Sequence, residues 1–594
     1  METNERTRAI YEPLPAYPKP PLVPLPNDED IQLFLDDLGR EAGIIAKWAM
    51  KRSMALIGFK KFLRTLPHQL EDLLRYSDLR GGGLFSPVIS ASLALKDDAR
   101  TIGPIERAGT LILAARSLYR DLITGALPPD RFKDQVLEMG QYPNLFSTCL
   151  IVDGKRARIF KSNQRSFITV IVAGRFYRLD IGDPDETLTL EQLVAALKEV
   201  TERARREQAQ QPIPSPGVLT VASHGTQLRI FRRLQQRPVN HQALEVLRHS
   251  FLTLCLDLDH APRDEAEAAL IAHVGNPANR WFHASLQIVV FGNAKAAVIC
   301  NFSTYLDGNP MMRAAAELQR RASVCNLNVL SVDPANRLPA AVALPWELEN
   351  QWLRQAEQEF DQVRDHQPAT FEIVNVGKRI IEASGYQPIP VFVVALLLAT
   401  KKLLGRTVRI TQFMTMSRYR CMDLVTPNIT TSDMVRCVEY LQSETIDESQ
   451  AAKLVNQAIE SQLQAMRQAR RCLPIPDALR LQLIAAKGWR RRWLSLMFFL
   501  RVLLFRLLAV QKRMGRELLV SHPEIYPEVP VVGRPGVRLP YVKLLGLHYQ
   551  IWPDKIVITF MPGLTWNISN QEFIKALEQS LKRILAILSS KPKQ

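Results

Sequence analysis

The chain has 594 residues, of which 47% are hydrophobic and 23% are charged, and 76 Lys and Arg against 59 Asp and Glu give a net charge of +17. So long a chain exceeds one ordinary hydrophobic core, and we expect two or more domains or lobes. No segment reaches the roughly 18 consecutive apolar residues of a membrane span, and the first residues lack the apolar core of a secretory leader. Seven cysteines, none in a C-x-x-C pair, argue against a disulfide framework and a zinc site. We therefore expect a cytoplasmic protein without a bound metal.

Residues 1–30 are predicted to form a proline-rich N-terminal arm, with seven prolines between Pro13 and Pro26. Such a run cannot be helical and predicts an extended segment that either drapes over its own domain or binds a partner. Apolar residues at helical spacing then predict helices from Asp30 to about Tyr76, and the glycines within 80–83 end them in a turn.

Two β-hairpins and five longer helices are predicted over the rest of the chain. The hairpins are β-rich runs around a turn, at 165–180 and at 285–300. The helices are predicted at 190–207, 240–254, 347–363, 390–404 and 571–588. This succession of elements indicates a mixed α/β fold.

Motifs of the common enzyme classes are missing from the sequence. It contains no G-x-S-x-G nucleophile elbow, no H-E-x-x-H zinc motif, no Rossmann glycine triplet and no kinase set. An acidic stretch at 257–267, which includes His260, offers residue types that bind metals. It falls where a strand ends and a helix begins, and acidic side chains favour the start of a helix, so we interpret it as a solvated helix start.

The informative stretch is Asn279-Arg280-Trp281-Phe282, followed by the second hairpin and by Asp307-Gly308. It resembles the choline/carnitine acyltransferase family, in which an N-R-W-F-D-K motif precedes a hairpin that ends in Glu-His and, a few residues later, an acidic residue and Gly. Other segments resemble further motifs of that family in the same order along the chain, at 139–149, 215–220, 250–257, 377–378 and 546–560.

The resemblance implies the fold of that family. This is an α/β fold with two lobes like chloramphenicol acetyltransferase, in which helices flank mixed sheets and a tunnel runs between the lobes. We expect one lobe at 96–345, carrying the altered active-site segment. The other lobe is expected to combine 31–95 with 346–594 and to include a basic apolar helix at 489–516.

The catalytic histidine of the family is absent here. In the family it takes the proton from the hydroxyl of carnitine or choline as that oxygen attacks the acyl-CoA thioester. Counting forward from the N-R-W-F motif places Phe302 at its position, whereas counting back from Asp307 places Ser303 there. We prefer Ser303, because one extra residue in a hairpin turn costs little. Phenylalanine accepts no proton and an unassisted serine is too weak a base, while Asp307 keeps the carboxylate that supports the histidine in the family.

The acceptor side also departs from the family. Where the family has T-Y-E-S-A-S, Thr411 stands at the tyrosine position and Phe413 at a serine position. The family's S-T-S-Q segment is missing between Tyr526 and Pro540. The resemblance therefore implies that trimethylammonium substrates lose their usual contacts.

The coenzyme A side is half kept. Lys378 matches a phosphate-contacting lysine of the family, but Glu382 stands where a second lysine is usual and should repel the 3′-phosphate. Lys378 is equally well explained as a solvated helix residue. We therefore expect no permanently bound cofactor, and coenzyme A, an acyl-CoA or an acyl carrier only as a ligand.

Residues 465–516 form a basic segment with thirteen Lys and Arg against one acid, and 493–508 within it are nearly all apolar. This stretch is too short and too charged to span a bilayer. One interpretation is a buried helix with arginine stems along its edge. The other is a basic, apolar face that rests on an anionic membrane surface or a partner protein, with Trp489 and Trp493 at the interface. Nucleic acid is disfavoured because no recognised binding module accompanies the charge.

From these features we predict a divergent member of the family, a pseudoenzyme without acyl-CoA:carnitine O-acyltransferase activity that binds acyl-CoA, a lipid or a protein partner. One alternative is an active acyltransferase that moves an acyl group from a CoA or carrier thioester to a non-carnitine alcohol or amine. Its base would come from the acceptor, from His548 or from Asp307. A second alternative is a peripheral membrane-binding protein that acts through 489–516.

Overall fold

In the computed structural model of the chain, the described residues are 10–12, 14–76, 90–153, 157–327, 340–422, 424–508, 517–523, 525–526 and 529–589. The turn predicted at 80–83, parts of the proline-rich arm and residues 509–516 of the basic segment lie outside them. The described residues form a mixed α/β fold built on two large sheets. The predicted fold class is thus confirmed.

The strands of the described part follow in chain order. They are β1 Ser90–Ala94, β2 Arg131–Phe132, β3 Gln135–Val136, β4 Thr148–Val152, β5 Ala157–Lys161, β6 Phe167–Val172, β7 Arg175–Asp180, β8 Thr253–Asp257, β9 Leu286–Phe291, β10 Ala296–Asn301, β11 Ala341–Ala343, β12 Thr370–Val374, β13 Ile410–Gln412, β14 Met414–Thr415, β15 Leu424–Val425, β16 Leu518–Ser521, β17 Leu545–Ile551 and β18 Lys555–Pro562.

The α-helices of the described part are also given in chain order. They are α1 Asp28–Ala42, α2 Ile44–Leu56, α3 Phe59–Thr65, α4 Leu70–Tyr76, α5 Pro104–Thr124, α6 Leu190–Gln210, α7 His224–Leu234, α8 Pro238–His249, α9 Glu265–Leu270, α10 Gly308–Ser323, α11 Asn350–Val363, α12 Lys378–Ala383, α13 Pro388–Leu404, α14 Ser432–Tyr440, α15 Glu448–Ala469, α16 Ile475–Ala485, α17 Gly488–Leu507 and α18 Asn570–Ser589.

Each large sheet mixes parallel and antiparallel neighbours. The first sheet has the order β1-β10-β9-β8-β6-β7-β11, and β8 runs parallel to both of its neighbours. The second has the order β12-β18-β17-β16-β13, with β16 parallel to both neighbours. β1 joins the first sheet although it precedes residue 96, where the lobe boundary is expected. The N-terminal helices α1 to α4 pack on the segment after β13 and on α16.

Both predicted hairpins are present. β6 and β7 pair antiparallel around Ala173 and Gly174, whose φ values of 51° and 73° are those of a two-residue hairpin turn that follows the twist of the strands. β9 and β10 form the second hairpin. The helix predicted at 240–254 is wrong at its end, because α8 stops at His249 and the last residues enter β8, which is paired on both sides.

The acidic stretch divides between two roles. Asp264 caps α9 through its side chain, as expected for a helix start. Asp257, however, is buried and accepts a 2.8 Å bond from the fully buried guanidinium of Arg280. The interpretation as a solvated helix start is therefore wrong for Asp257, since the arginine of the N-R-W-F motif pairs with it inside the protein.

The two sheets share a hydrophobic core. Leu519 and Met561 of the second sheet join Trp281 and Phe282 of the first half in one buried cluster. One face of the second sheet therefore packs against the first half of the chain near the N-R-W-F motif. The candidate site lies at this junction, at the end of β10.

Candidate functional site

The turn after β10 carries both positions at which the family's histidine was expected. Asn301 ends β10, and its side-chain oxygen accepts a 2.9 Å bond from the Ser303 amide while its amide nitrogen donates a 2.8 Å bond to the Phe282 carbonyl. Asn301 is thus the cap of a short 3-10 turn over 302–304 and ties it to the N-R-W-F motif. Tyr305, at φ 59°, then takes the left-handed conformation, which is uncommon outside glycine.

Phe302 presents an aromatic ring toward the second sheet. Its ring centroid lies 6.4 Å from that of Phe413, which follows β13, and the Arg534 guanidinium carbon lies 5.4 Å from the centroid of the Phe302 ring. Two neighbours of the Phe302 side chain at this end of β10 are thus an aromatic ring and a cation. Neither accepts a proton from an alcohol.

Ser303 is half-buried in the same turn, so both sequence registers lead to one place in the structure. Its side chain carries a hydroxyl and no imidazole. A hydroxyl needs a neighbouring base before it can take or deliver a proton near neutral pH.

Asp307 serves as a structural carboxylate. It is 3% exposed, and its side chain caps α10 by accepting a 3.1 Å bond from the Asn309 amide. The Thr415 hydroxyl of β14 donates to the other oxygen of Asp307 at 3.3 Å, so Asp307 joins α10 to β14. These contacts supply a role for the carboxylate that does not require a histidine.

The structure brings to this junction His548, one of the bases named in the active-acyltransferase alternative. His548 lies in β17, 5% exposed, and its Nδ1 is 3.0 Å from the Ser521 hydroxyl at the end of β16. Its Nε2 has no hydrogen-bond partner among the described residues. Ser521 is not among the residues predicted from the sequence, since its contact with His548 joins two strands across 27 residues.

His548 is poorly suited to act as a base. Burial, together with His522 and the positive charge of Arg534, lowers its pKa to about 3. An imidazole with so low a pKa holds a proton weakly, whereas efficient general bases have a pKa near the working pH. His283, which replaces the aspartate of the N-R-W-F-D-K motif, is also buried, and its Nε2 lies 2.7 Å from Gln227.

Other predicted residues lie apart from the turn or keep only a structural contact. Lys378 is exposed at the start of α12, with its ammonium 3.7 Å from Glu382. Thr411 lies within β13 and is 8% exposed. In the described part of the chain, no three His, Cys, Asp or Glu side chains group as metal ligands.

The basic apolar helix predicted at 489–516 is not buried over its described residues. Within α17 only Leu494 is buried, whereas Trp489, Phe499 and Leu507 are 78%, 63% and 76% exposed. The buried-helix interpretation is therefore wrong for these residues. α17 packs beside α2, which exposes four large apolar side chains of its own, Ile44, Ile45, Trp48 and Leu56. No helix in the described ranges is long and apolar enough to cross a bilayer.

The chain is similar in sequence to known proteins. The family model described as Choline/Carnitine o-acyltransferase matches residues 84–480. Choline O-acetyltransferase of Homo sapiens is 25% identical over 320 residues, which cover 51% of this chain and 42% of that protein. Mitochondrial carnitine O-acetyltransferase of Saccharomyces cerevisiae is 25% identical over 215 residues, covering 35% and 32%. The match thus spans less than half the length of these two curated relatives.

A solved structure of trichothecene 15-O-acetyltransferase from Fusarium sporotrichioides aligns with 85% of this chain and 94% of its own. Its sequence identity is 10% and its TM-score is 0.37.

Proposed function

Because the chain belongs to the choline/carnitine O-acyltransferase family, we propose that it binds an acyl-CoA or a related acyl thioester without transferring the acyl group to carnitine or choline. The observation that carries this proposal is the residue set at the end of β10. Phe302 and Ser303 occupy the two positions open to the family's histidine, and Phe302 faces Phe413 and the Arg534 cation.

The remaining groups at the junction support the same proposal. Asp307 caps α10 and also accepts from the Thr415 hydroxyl, so both of its oxygens already make structural contacts. His548 has a pKa lowered to about 3, largely by burial. Transfer to an alcohol requires that its proton be removed, and general acid–base catalysis of this kind typically contributes roughly 10²–10⁴-fold to the rate.

We expect no transfer of acetyl or palmitoyl groups to carnitine or choline. The purified chain, incubated with the acyl-CoA and the acceptor, should release free thiol at the rate seen without protein, because neither Phe302 nor Ser303 takes the hydroxyl proton near neutral pH. Isothermal titration calorimetry with palmitoyl-CoA should still detect binding. An active choline O-acetyltransferase serves as the control for the assay.

Two outcomes would overturn this proposal. The first is thiol release that requires carnitine or choline and falls in the Asp307→Asn variant. The second is thiol release with another alcohol or amine that is lost in His548→Gln, which would identify the active acyltransferase alternative instead.

A second candidate function, binding to an anionic membrane surface, rests on the α2–α17 surface, by which we mean the exposed faces of these two helices. Trp48 and Trp489 expose more than half of their surface there, at 59% and 78%. Three consecutive exposed arginines, 490–492, adjoin Trp489. Apolar and aromatic side chains beside a basic run are the features by which helices lie in a lipid headgroup region.

Membrane binding through this surface should depend on both charge and salt. Changing Arg490, Arg491 and Arg492 to Glu should weaken binding to vesicles of phosphatidylserine and phosphatidylcholine at least tenfold, since each basic side chain contributes about 1 kcal/mol near an anionic surface. Vesicle co-sedimentation at about 50 mM and about 500 mM salt measures this, with weaker binding expected at high salt.

The matched control moves the same charge change to another surface. Arg229, Arg232 and Arg233 are exposed on α7, and their change to Glu should leave vesicle binding close to that of the original chain. Equal losses in the two triple variants would mean that net charge alone drives the association, and would remove the α2–α17 surface as its cause.

A further inference from the structure

The loop between β16 and β17 contains a stretch, 533–536, that is held in place from several sides. The Gly533 carbonyl accepts a bond from the Ser92 amide of β1 at 3.2 Å, and the Gly536 carbonyl accepts one from the Asp365 amide at 2.8 Å. Between them, His273 Nδ1 donates to the Pro535 carbonyl at 2.9 Å. The backbone of Arg534 is therefore fixed by groups from separate parts of the fold.

Arg534 is a buried cation that forms no ion pair with a carboxylate of the described residues. Its side chain is 8% exposed, its Nε has no hydrogen-bond partner, and no carboxylate among the described residues forms an ion pair with it. Burial of an unpaired charge is costly, and buried charges in proteins are normally paired and hydrogen-bonded. The nearby Arg538, whose side chain is 25% exposed, is paired, with its guanidinium 3.6 Å from Asp365.

The neighbours of Arg534 combine apolar walls with one further polar atom. Its guanidinium lies over the Phe302 ring, which in turn packs near Phe413. The preceding residue, Gly533, lies against His548, since a Cβ built at Gly533 would be 3.3 Å from that of His548. His548 Nε2 is buried and also lacks a hydrogen-bond partner in the described part of the chain.

We propose that Arg534 binds the carboxylate of an aliphatic ligand at the junction of the two sheets, with the chain of the ligand against Phe302 and Phe413. A guanidinium presents two parallel N–H groups that match the two oxygens of a carboxylate. His548 Nε2, when it carries the proton of the neutral ring, adds one donor. A guanidinium also matches two oxygens of a phosphate, but the two phenylalanine rings beside it favour a ligand in which an apolar chain adjoins the anionic head.

The inference rests on the proposed function and deepens it by naming the class of ligand that would lie at the junction of the two sheets. It differs from an acceptor site for carnitine or choline, because the partner that it assigns is an anionic head beside an apolar chain and no trimethylammonium group is involved. It also gives a physical reason for the loss of the base: a cation at this position stabilises a bound anion and disfavours an imidazolium.

The test compares ligands that share a chain and differ in the head group. Isothermal titration calorimetry on the full chain should detect octanoate and should find octanol at least tenfold weaker. Inorganic phosphate at the same concentration should not compete with octanoate. This arm needs no variant, so it remains decisive if a substitution at Arg534 disturbs folding.

A second arm tests the residue itself. Arg534→Gln should weaken octanoate at least tenfold and leave octanol unchanged, whereas Arg538→Gln, in the same loop, should bind octanoate as the original chain does. Without ligand, Arg534→Gln should melt at the same or a higher temperature, because the unpaired buried charge is removed. An arginine with a purely structural role would predict a lower melting temperature.

Three results would overturn the inference: equal binding of octanol and octanoate, octanoate binding that survives Arg534→Gln, or displacement of octanoate by phosphate. They are distinguishable from failure of the proposed function. Palmitoyl-CoA binding without octanoate binding contradicts only this inference, and thiol release with carnitine contradicts only the proposed function.

Discussion

Replacing Asp257 with Asn is expected to lower the free energy of unfolding by about 3–5 kcal/mol, because it leaves the Arg280 charge buried without its partner. The Arg280 side chain is fully buried and the Asp257 side chain is 3% exposed, with 2.8 Å between the paired atoms. Asn keeps the size of the side chain, removes the charge and replaces one acceptor oxygen with an amide donor. Urea unfolding followed by circular dichroism measures the change without screening charges.

The matched control lies two residues away. Asp259 pairs with Arg205 at 2.7 Å, but the two side chains are 79% and 49% exposed. Asp259→Asn should therefore change the free energy of unfolding by no more than about 1 kcal/mol. If both variants were destabilised equally, the loss would have to be assigned to the backbone of this stretch, and the buried ion pair would not be its cause.

The pH dependence of this pair has a defined sign. Burial acts to raise the pKa of Asp257, but the charge and hydrogen bonds of Arg280 outweigh burial and hold that pKa below its usual value. A carboxyl with a lowered pKa in the folded state stabilises the protein above its unfolded pKa and loses this contribution as the pH falls. The difference between the original chain and Asp257→Asn should therefore shrink in acid.

Replacing Gly217 with Ala is expected to destabilise the protein by about 3 kcal/mol or more, the upper range for an overpacked site. Gly217 lies in a short 3-10 helix, Pro216–Val221. A Cβ there would lie 2.4 Å from the Arg280 carbonyl oxygen and 2.6 Å from that of Pro277. These are backbone atoms, so no side-chain rotation relieves the contact.

Gly225 provides the comparison for this substitution. It lies in α7, and a Cβ there would meet nothing within 4 Å. Gly225→Ala should leave stability unchanged or raise it by up to about 1 kcal/mol, since Ala has the higher helix propensity. Differential scanning calorimetry of both variants measures the contrast, and equal shifts would mean that the carbonyls around Gly217 move aside at little cost.

Gly217 is connected to the candidate site as well as to stability. Gly217 packs on the Arg280 carbonyl, and Phe282, two residues later, holds Asn301 through its carbonyl. Asn301 caps the turn that carries Phe302 and Ser303. A disturbance at Gly217 is thus expected to reach the candidate site through the N-R-W-F motif.

Local sequence determined the regular elements and the missing base. The hairpin of β6 and β7 follows from β-rich runs on either side of a two-residue turn, and helices such as α6 and α13 follow from apolar spacing, because both patterns depend on neighbours a few residues apart. The absence of a histidine at 302 or 303 is visible in the sequence itself, since a side chain that is not encoded cannot act there.

Tertiary structure decided the partners of the remaining groups. Arg280 reaches Asp257 across 23 residues, and Arg534 reaches Phe302 from another part of the chain. α17 has the composition of a buried helix, yet most of its apolar side chains are exposed, although α2 and α16 pack beside it. Whether a charge is paired or an apolar face is covered depends on contacts between distant segments, and no local periodicity encodes these.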